Sequence, residues 1–357
     1  MPSAQQLLIF ISAFAPGDEG AIHAYRLDAD SGTLTEVHRH ADITEPFFLA
    51  LSPDRNFLYS IHSPDQFGGE SHEEIAAYAI VGDNGELKPL NRQSALGSAS
   101  CYLEVDATGK TVLVSNYSTG SVASFPVQAD GSLGEAATFQ QHVVATGDPS
   151  KLGPRAHCFI ISPDNRFAFA ADLGLDKVLT YQLDAAHSTL APHRQPFVRT
   201  PPGAGPRHLT FHPDGARLYA INEYGNSVTV YDYDSGTGML VERQTISTVP
   251  DDFEGKSYCA DLKITPDGRF LYGTNRGHDS IAAYRIGEDG TLTLLGIEPS
   301  LGKGPQNLAI MPDGKLLLCA NMPGDNVVLF RIDPDSGALT QLGKPVSMPS
   351  PSCIILR

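Results

Sequence analysis

The chain has 357 residues, with 41 acidic against 25 basic and a formal net charge of −16 at pH 7. That balance, with no basic run to offset it, argues against a nucleic-acid partner, because a polyanion is held by clustered Lys and Arg. The absence of tryptophan removes the WD signature of WD40 scaffolds, and no apolar stretch is long enough for a membrane span.

Residues 7–40 open with an apolar run from Leu7, then Ile22, Tyr25 and a Ser31-Gly32-Thr33-Leu34 turn. With neither a basic start nor a long apolar segment ahead of it, this beginning predicts no signal peptide and a cytoplasmic protein. A unit then recurs six times. Its first strand ends in a turn of S-P-D-G type at Pro53, Ala107, Pro163, Pro213, Pro266 and Pro312, and nine residues later comes a polar residue: His62, Asn116, Asp172, Asn222, Asn275 and Asn321. A spacing of 46 to 56 residues reads as a repeat array. Five units place a β-branched residue fifteen after the turn (Val122, Val178, Val228, Ile281, Val327) and an aromatic three further on. In the first unit the pair is Ile75 and Tyr78, displaced by an insertion around residues 66–74. A second turn, usually G-x-L, follows at Gly85, Gly131, Gly290 and Gly337.

Four short strands per unit, punctuated by Gly and Pro, describe a propeller blade. The N-terminal segment looks like a blade without its first strand, and residues 351–356 like a first strand with nothing after it. Their pairing predicts an all-β, seven-bladed β-propeller over residues 1–357 as a single domain, its ring closed by the C-terminal strand. The five cysteines, an odd number without a C-x-x-C pair, read as buried reduced thiols.

A propeller's first strands line its axis, and the loops entering them share a face with the loops between second and third strands. Positions six before the turn and ten after it converge there. A structural residue recurs at such positions, whereas a chemical one does not. The first series is Phe47, Cys101, His157, Arg207, Ala260 and Gln306; the second is Ser63, Tyr117, Leu173, Glu223, Arg276 and Met322. His157, Arg207, Glu223 and Arg276 stand out as candidate catalytic residues, with Arg155, His208 and His278 beside them as candidate substrate-binding residues. One carboxylate among cations and imidazoles suits holding an anion and moving a proton. Alternatives stay open: Arg207 and Glu223 as an ion pair of strand ends, His278 as a surface turn residue, and His208 facing away from Arg207 by strand alternation. The recurring Asn residues read as loop chemistry rather than metal ligands, and neither metal nor cofactor is expected. Asp251, Asp252 and Glu254, near Lys256, read as solvated surface.

The segments Gly205-Pro206-Arg207-His208, Phe211-His212-Pro213, Asn222-Glu223, Ala260-Asp261, Thr265-Pro266-Asp267-Gly268 and Asn275-Arg276 resemble the seven-bladed lactonase family, which includes bacterial propeller-type 6-phosphogluconolactonases and a fungal carboxy-cis,cis-muconate cyclase. The resemblance runs along essentially the whole chain and is strongest over residues 153–281. It implies a small anionic lactone or sugar-phosphate substrate and a His, two Arg and a Glu in the active site, matched here by His157, Arg207, Arg276 and Glu223. On that basis the arginines would hold a phosphate or an oxyanion, and Glu223 or His157 would act as general base. A cyclase, or a propeller that only binds a ligand or protein, remains the alternative.

Overall fold

The computed structural model describes residues 7–41, 43–63, 66–69, 71–145, 147 and 152–357; of the insertion expected at 66–74, Glu70 lies outside these. The strands form seven four-stranded antiparallel sheets. Their innermost strands, Leu49–Leu51, Ser100–Val105, Ala156–Ile161, Pro206–Phe211, Tyr258–Ile264, Pro305–Ile310 and Pro351–Leu356, touch one another in ring order, the last meeting the first. This is a closed seven-bladed propeller. Blades 1 to 6 cover residues 49–94, 100–141, 156–199, 206–247, 258–299 and 305–347. Blade 7 joins Pro351–Leu356 to the three N-terminal strands, with Ile9 opposite Leu356 and Ile11 opposite Ile354.

Local chemistry explains the repeat. In the first turn a hydroxyl donates to the aspartate two residues on, Ser52 to Asp54 at 2.5 Å, Ser162 to Asp164 at 2.5 Å and Thr265 to Asp267 at 2.6 Å. The next residue is left-handed, at φ +72° in Gly215 and +75° in Gly268, which is why glycine recurs there. The G-x-L glycine serves the joint between blades. The Tyr59, Tyr219 and Tyr272 hydroxyls donate to the carbonyls of Gly131, Gly290 and Gly337 in the following blade. A Cβ at Gly131 would come 2.1 Å from the Phe57 ring, so a side chain there would push the blades apart.

Three of the recurring asparagines staple their blade to the loop before it, while Asn222 donates within its own blade to Ser227 and Thr229. Asn116, Asn275 and Asn321 donate to the carbonyls of Ala95, Thr248 and Ser300. In blade 3 an acceptor, Asp172, replaces the donor, and a histidine replaces the carbonyl: His142 Nδ1 lies 2.7 Å from Asp172 Oδ2, both side chains buried. All five cysteines are free and buried. No helix among the described residues is long and apolar enough to cross a membrane.

Candidate active site

The ladder between the two innermost strands breaks at one place in every blade but the first. Pairing skips Cys101, His157, Arg207, the pair Ala260 and Asp261, Gln306 and Ser352. These are β-bulges, and a bulge re-aims a side chain out of the strict alternation. The position six before the turn is therefore unpaired in nearly every blade. His157 and Arg207, spaced by one blade repeat, occupy the same bulged position in their strands.

The bulge also decides the direction of His208. Strict alternation would send it away from Arg207, yet both face the axis, with Arg207 Nη1 3.2 Å from His208 Nε2. His208 Nδ1 stands 2.8 Å from Asp261 Oδ1, the buried carboxylate of the neighbouring bulge. Asp261 also takes Lys263 Nζ at 2.8 Å, Asn307 Nδ2 at 2.8 Å and the Leu308 amide at 2.9 Å. Burial works against this carboxylate, but Lys263 and His208 outweigh it and hold Asp261 well below the usual carboxylate range. With Asp261 ionised, His208 carries its proton on Nδ1 and offers Nε2 to the guanidinium. Burial, then Arg207, lowers His208 to about 4, so it is neutral near pH 7.

Glu223 sits between two arginines. Its Oε2 lies 2.8 Å from Arg207 Nε and 2.9 Å from Arg276 Nη2, while Oε1 has no partner among the described residues. The Arg207 Nε approach is a Coulombic contact rather than an aligned hydrogen bond. Both guanidiniums are also tied to main chain: Arg207 donates to Ala260 O at 2.6 Å, and Arg276 to Cys259 O at 3.1 Å. Arg207 is 2% exposed. Burial, then Arg276, lowers it to about 10, which leaves it charged at neutral pH. His157 is held well below its ordinary value by burial and by Arg207, so it too is neutral. Its Nδ1 lies 3.6 Å from Cys101 Sγ, but burial pushes that thiol up to about 12, and the pair is no thiolate nucleophile. Among the described residues no three His, Cys, Asp or Glu side chains gather as metal ligands would.

The flanking candidates separate. Arg155 lies at the rim, its guanidinium 5.8 Å from the Tyr117 ring centre, and Tyr117 in turn packs on His157. His278 is turned toward Ser280 Oγ at 2.7 Å and the Phe253 ring, away from the Glu223 cluster. On the opposite side Phe14, Phe47 and Phe67 form an apolar wall. Tyr224 and Tyr258, which pack edge to face beside Glu223, lie outside the two convergent repeat positions, Tyr224 one residue after Glu223 and Tyr258 two before Ala260 at the start of its strand, so repeat divergence did not mark them. A cavity of about 620 Å³ opens from Glu223 and Arg276 between blades 5 and 6.

This geometry accompanies a sequence relationship over almost the whole length. The family model described as "Lactonase, 7-bladed beta-propeller" matches residues 8–356. The chain belongs to the seven-bladed β-propeller lactonase family. Among its relatives, a Bacillus subtilis 6-phosphogluconolactonase is 34% identical over 347 residues, covering 97% of each chain. A Formosa agariphila 6-phosphogluconolactonase is 33% identical and covers 84% of this chain and 85% of its own. Of solved structures, the Pseudomonas aeruginosa periplasmic gluconolactonase PpgL superposes with a TM-score of 0.91 at 30% identity, covering 98% of each chain. Within this lactonase scaffold the four residues singled out by repeat divergence lie around one mouth of the axial channel.

Proposed function

We propose that this lactonase hydrolyses 6-phosphogluconolactone to 6-phosphogluconate in the cytoplasm, the step that opens the lactone in the pentose phosphate pathway. The observation that carries the chemistry is the single carboxylate Glu223, held by two guanidiniums through one oxygen and free at the other. Two relatives named 6-phosphogluconolactonase carry the substrate. Five free buried thiols fit a reducing compartment.

In this reading Glu223 Oε1 takes a proton from water as the water oxygen bonds to the lactone carbonyl carbon. Negative charge moves to the carbonyl oxygen. Once Glu223 is neutral, Arg207 and Arg276 no longer answer a carboxylate and are available to that oxyanion, a stabilisation that grows only as the transition state is approached. Collapse of the intermediate breaks the bond to the ring oxygen, which receives the proton from Glu223. Neutral His157 adds no competing cation beside Arg207. The scheme draws on no metal, so chelation leaves the rate unchanged.

The likeness to a gluconolactonase favours a second reading, an unphosphorylated sugar lactone as substrate. Rates with freshly generated 6-phosphogluconolactone, glucono-δ-lactone and carboxymuconate, each corrected for spontaneous reaction, decide among these. A preference for the first supports the proposal. Turnover of carboxymuconate alone, or of nothing, overturns it.

A further inference from the structure

The cavity that starts at Glu223 continues outward to Lys256 and Lys303. Both lysines depart from the repeat. Four residues before the bulged position, four units carry glycine (Gly97, Gly153, Gly203, Gly302), and only blade 5 carries a cation, Lys256. One residue later the other units have Thr, Ser, Pro, Ala, Ser or Pro, and only blade 6 has a cation, Lys303. The divergence that marks His157 and Arg207 thus marks two further positions, on adjacent loops facing one cavity.

The negative groups of that cavity are already engaged. Glu223 is held by the arginines, and Asp279 Oδ1 accepts the amides of Gly277 at 3.1 Å and Gly304 at 2.8 Å, joining the two loops. Asp251, Asp252 and Glu254 share a loop with Lys256 but do not line the cavity. Neither lysine has an ion pair or side-chain hydrogen bond among the described residues. The outer end therefore carries a net positive charge, two ammonium groups against the one carboxylate of Asp279, while the inner arginines are committed to Glu223 and to main-chain carbonyls.

From this we propose that Lys256 and Lys303 form the subsite for a phosphate monoester, the distal group of a lactone whose carbonyl lies at Glu223. The subsite rests on the hydrolase reading above and sharpens it: the arginines serve the reacting end and the lysines the phosphate. A point-charge ammonium on a flexible stem suits a solvent-facing dianion that needs holding rather than aligning.

Lys256→Gln, Lys303→Gln and the double variant test this, with Arg155→Gln as the comparison on the opposite rim. The kcat/KM ratio of 6-phosphogluconolactone to glucono-δ-lactone is expected to fall about tenfold per lysine, mostly through KM, and Lys→Arg to restore most of it. Binding of 6-phosphogluconate, followed by calorimetry on the folded proteins, is expected to weaken in parallel. An unchanged ratio with unchanged binding in the double variant overturns the subsite, as does a loss of discrimination confined to Arg155→Gln. If the wild type hydrolyses neither lactone yet loses 6-phosphogluconate binding in the double variant, the subsite stands and the hydrolase reading falls. If it neither hydrolyses nor binds, both fall.

Discussion

Arg207 keeps its charge with almost no exposed surface because Glu223, His208 and the Ala260 carbonyl all meet it. Removing it leaves Glu223 half-paired beneath the surface. Breaking a buried pair from one side costs about 3–5 kcal/mol. Arg276, with 26% of its side chain exposed, pairs with the same oxygen from a wetter position. Arg207→Ala is therefore expected to lower both stability and turnover, and Arg276→Ala to lower turnover of phosphorylated and unphosphorylated lactones alike with little loss of stability. Thermal melts beside kinetics check this; equal melting losses in the two variants would contradict it. The convergence of Arg207, Glu223 and Arg276 was legible because a repeat marks a position with a local demand wherever it fails to repeat. Asp261 and Lys263 were not, because the bulge shifts side-chain parity and so breaks the alternation that a strand's sequence displays.

The elements most exposed in the sequence were the turns, since a left-handed residue after Pro-Asp and a glycine under a neighbouring ring admit few substitutes. The closing strand was legible for a different reason: an unmatched strand at each end of an array has one economical partner. Cys353 and Ile354 are buried, and Ser352 Oγ donates at 2.8 Å to Phe47 O in the segment leading into blade 1, so the strand ties in the next blade as well as completing its own. Deleting residues 351–357 is expected to abolish the cooperative thermal transition or leave the protein insoluble, because it bares a ladder edge and part of the core. A truncated protein melting with the wild type would show that the ring does not depend on this strand. The insertion of blade 1 was visible only as a broken spacing. Its role emerges from Phe67 packing on Phe14 and Phe47, a contact between distant segments that no local pattern encodes.

At the scale of the whole molecule, a strongly acidic protein gathers cations around one mouth of its channel, and it does so among imidazoles that the fold keeps neutral. Burial lowers His62, assisted by Arg92, and His208, assisted by Arg207, to about 4, and with Arg207 it holds His157 well below its ordinary value. The unfolded chain binds these protons near pH 6.5, so their contribution is present above 6.5 and is lost as pH falls toward 4. Each of the first two represents on the order of 3 kcal/mol. Glu104, lining the channel, has the opposite sign: burial raises it to about 8, so its contribution is present below its unfolded value and is lost as pH rises through 8. Stability is expected to peak near pH 6.5, and Glu104→Gln to flatten the decline between 6.5 and 8. Denaturant melts across pH 5–8 check both arms. A variant that still declines above 6.5 would place the responsible group elsewhere.

The most direct test of the account is the initial rate of 6-phosphogluconolactone ring opening by the wild type and by Glu223→Gln, with spontaneous hydrolysis subtracted and folding verified. Glutamine keeps the size of Glu223 but cannot take a proton. The wild type is expected to accelerate the reaction, and Glu223→Gln to lower kcat by roughly 10²–10³ with little change in KM. A folded Glu223→Gln protein retaining the wild-type kcat would contradict it.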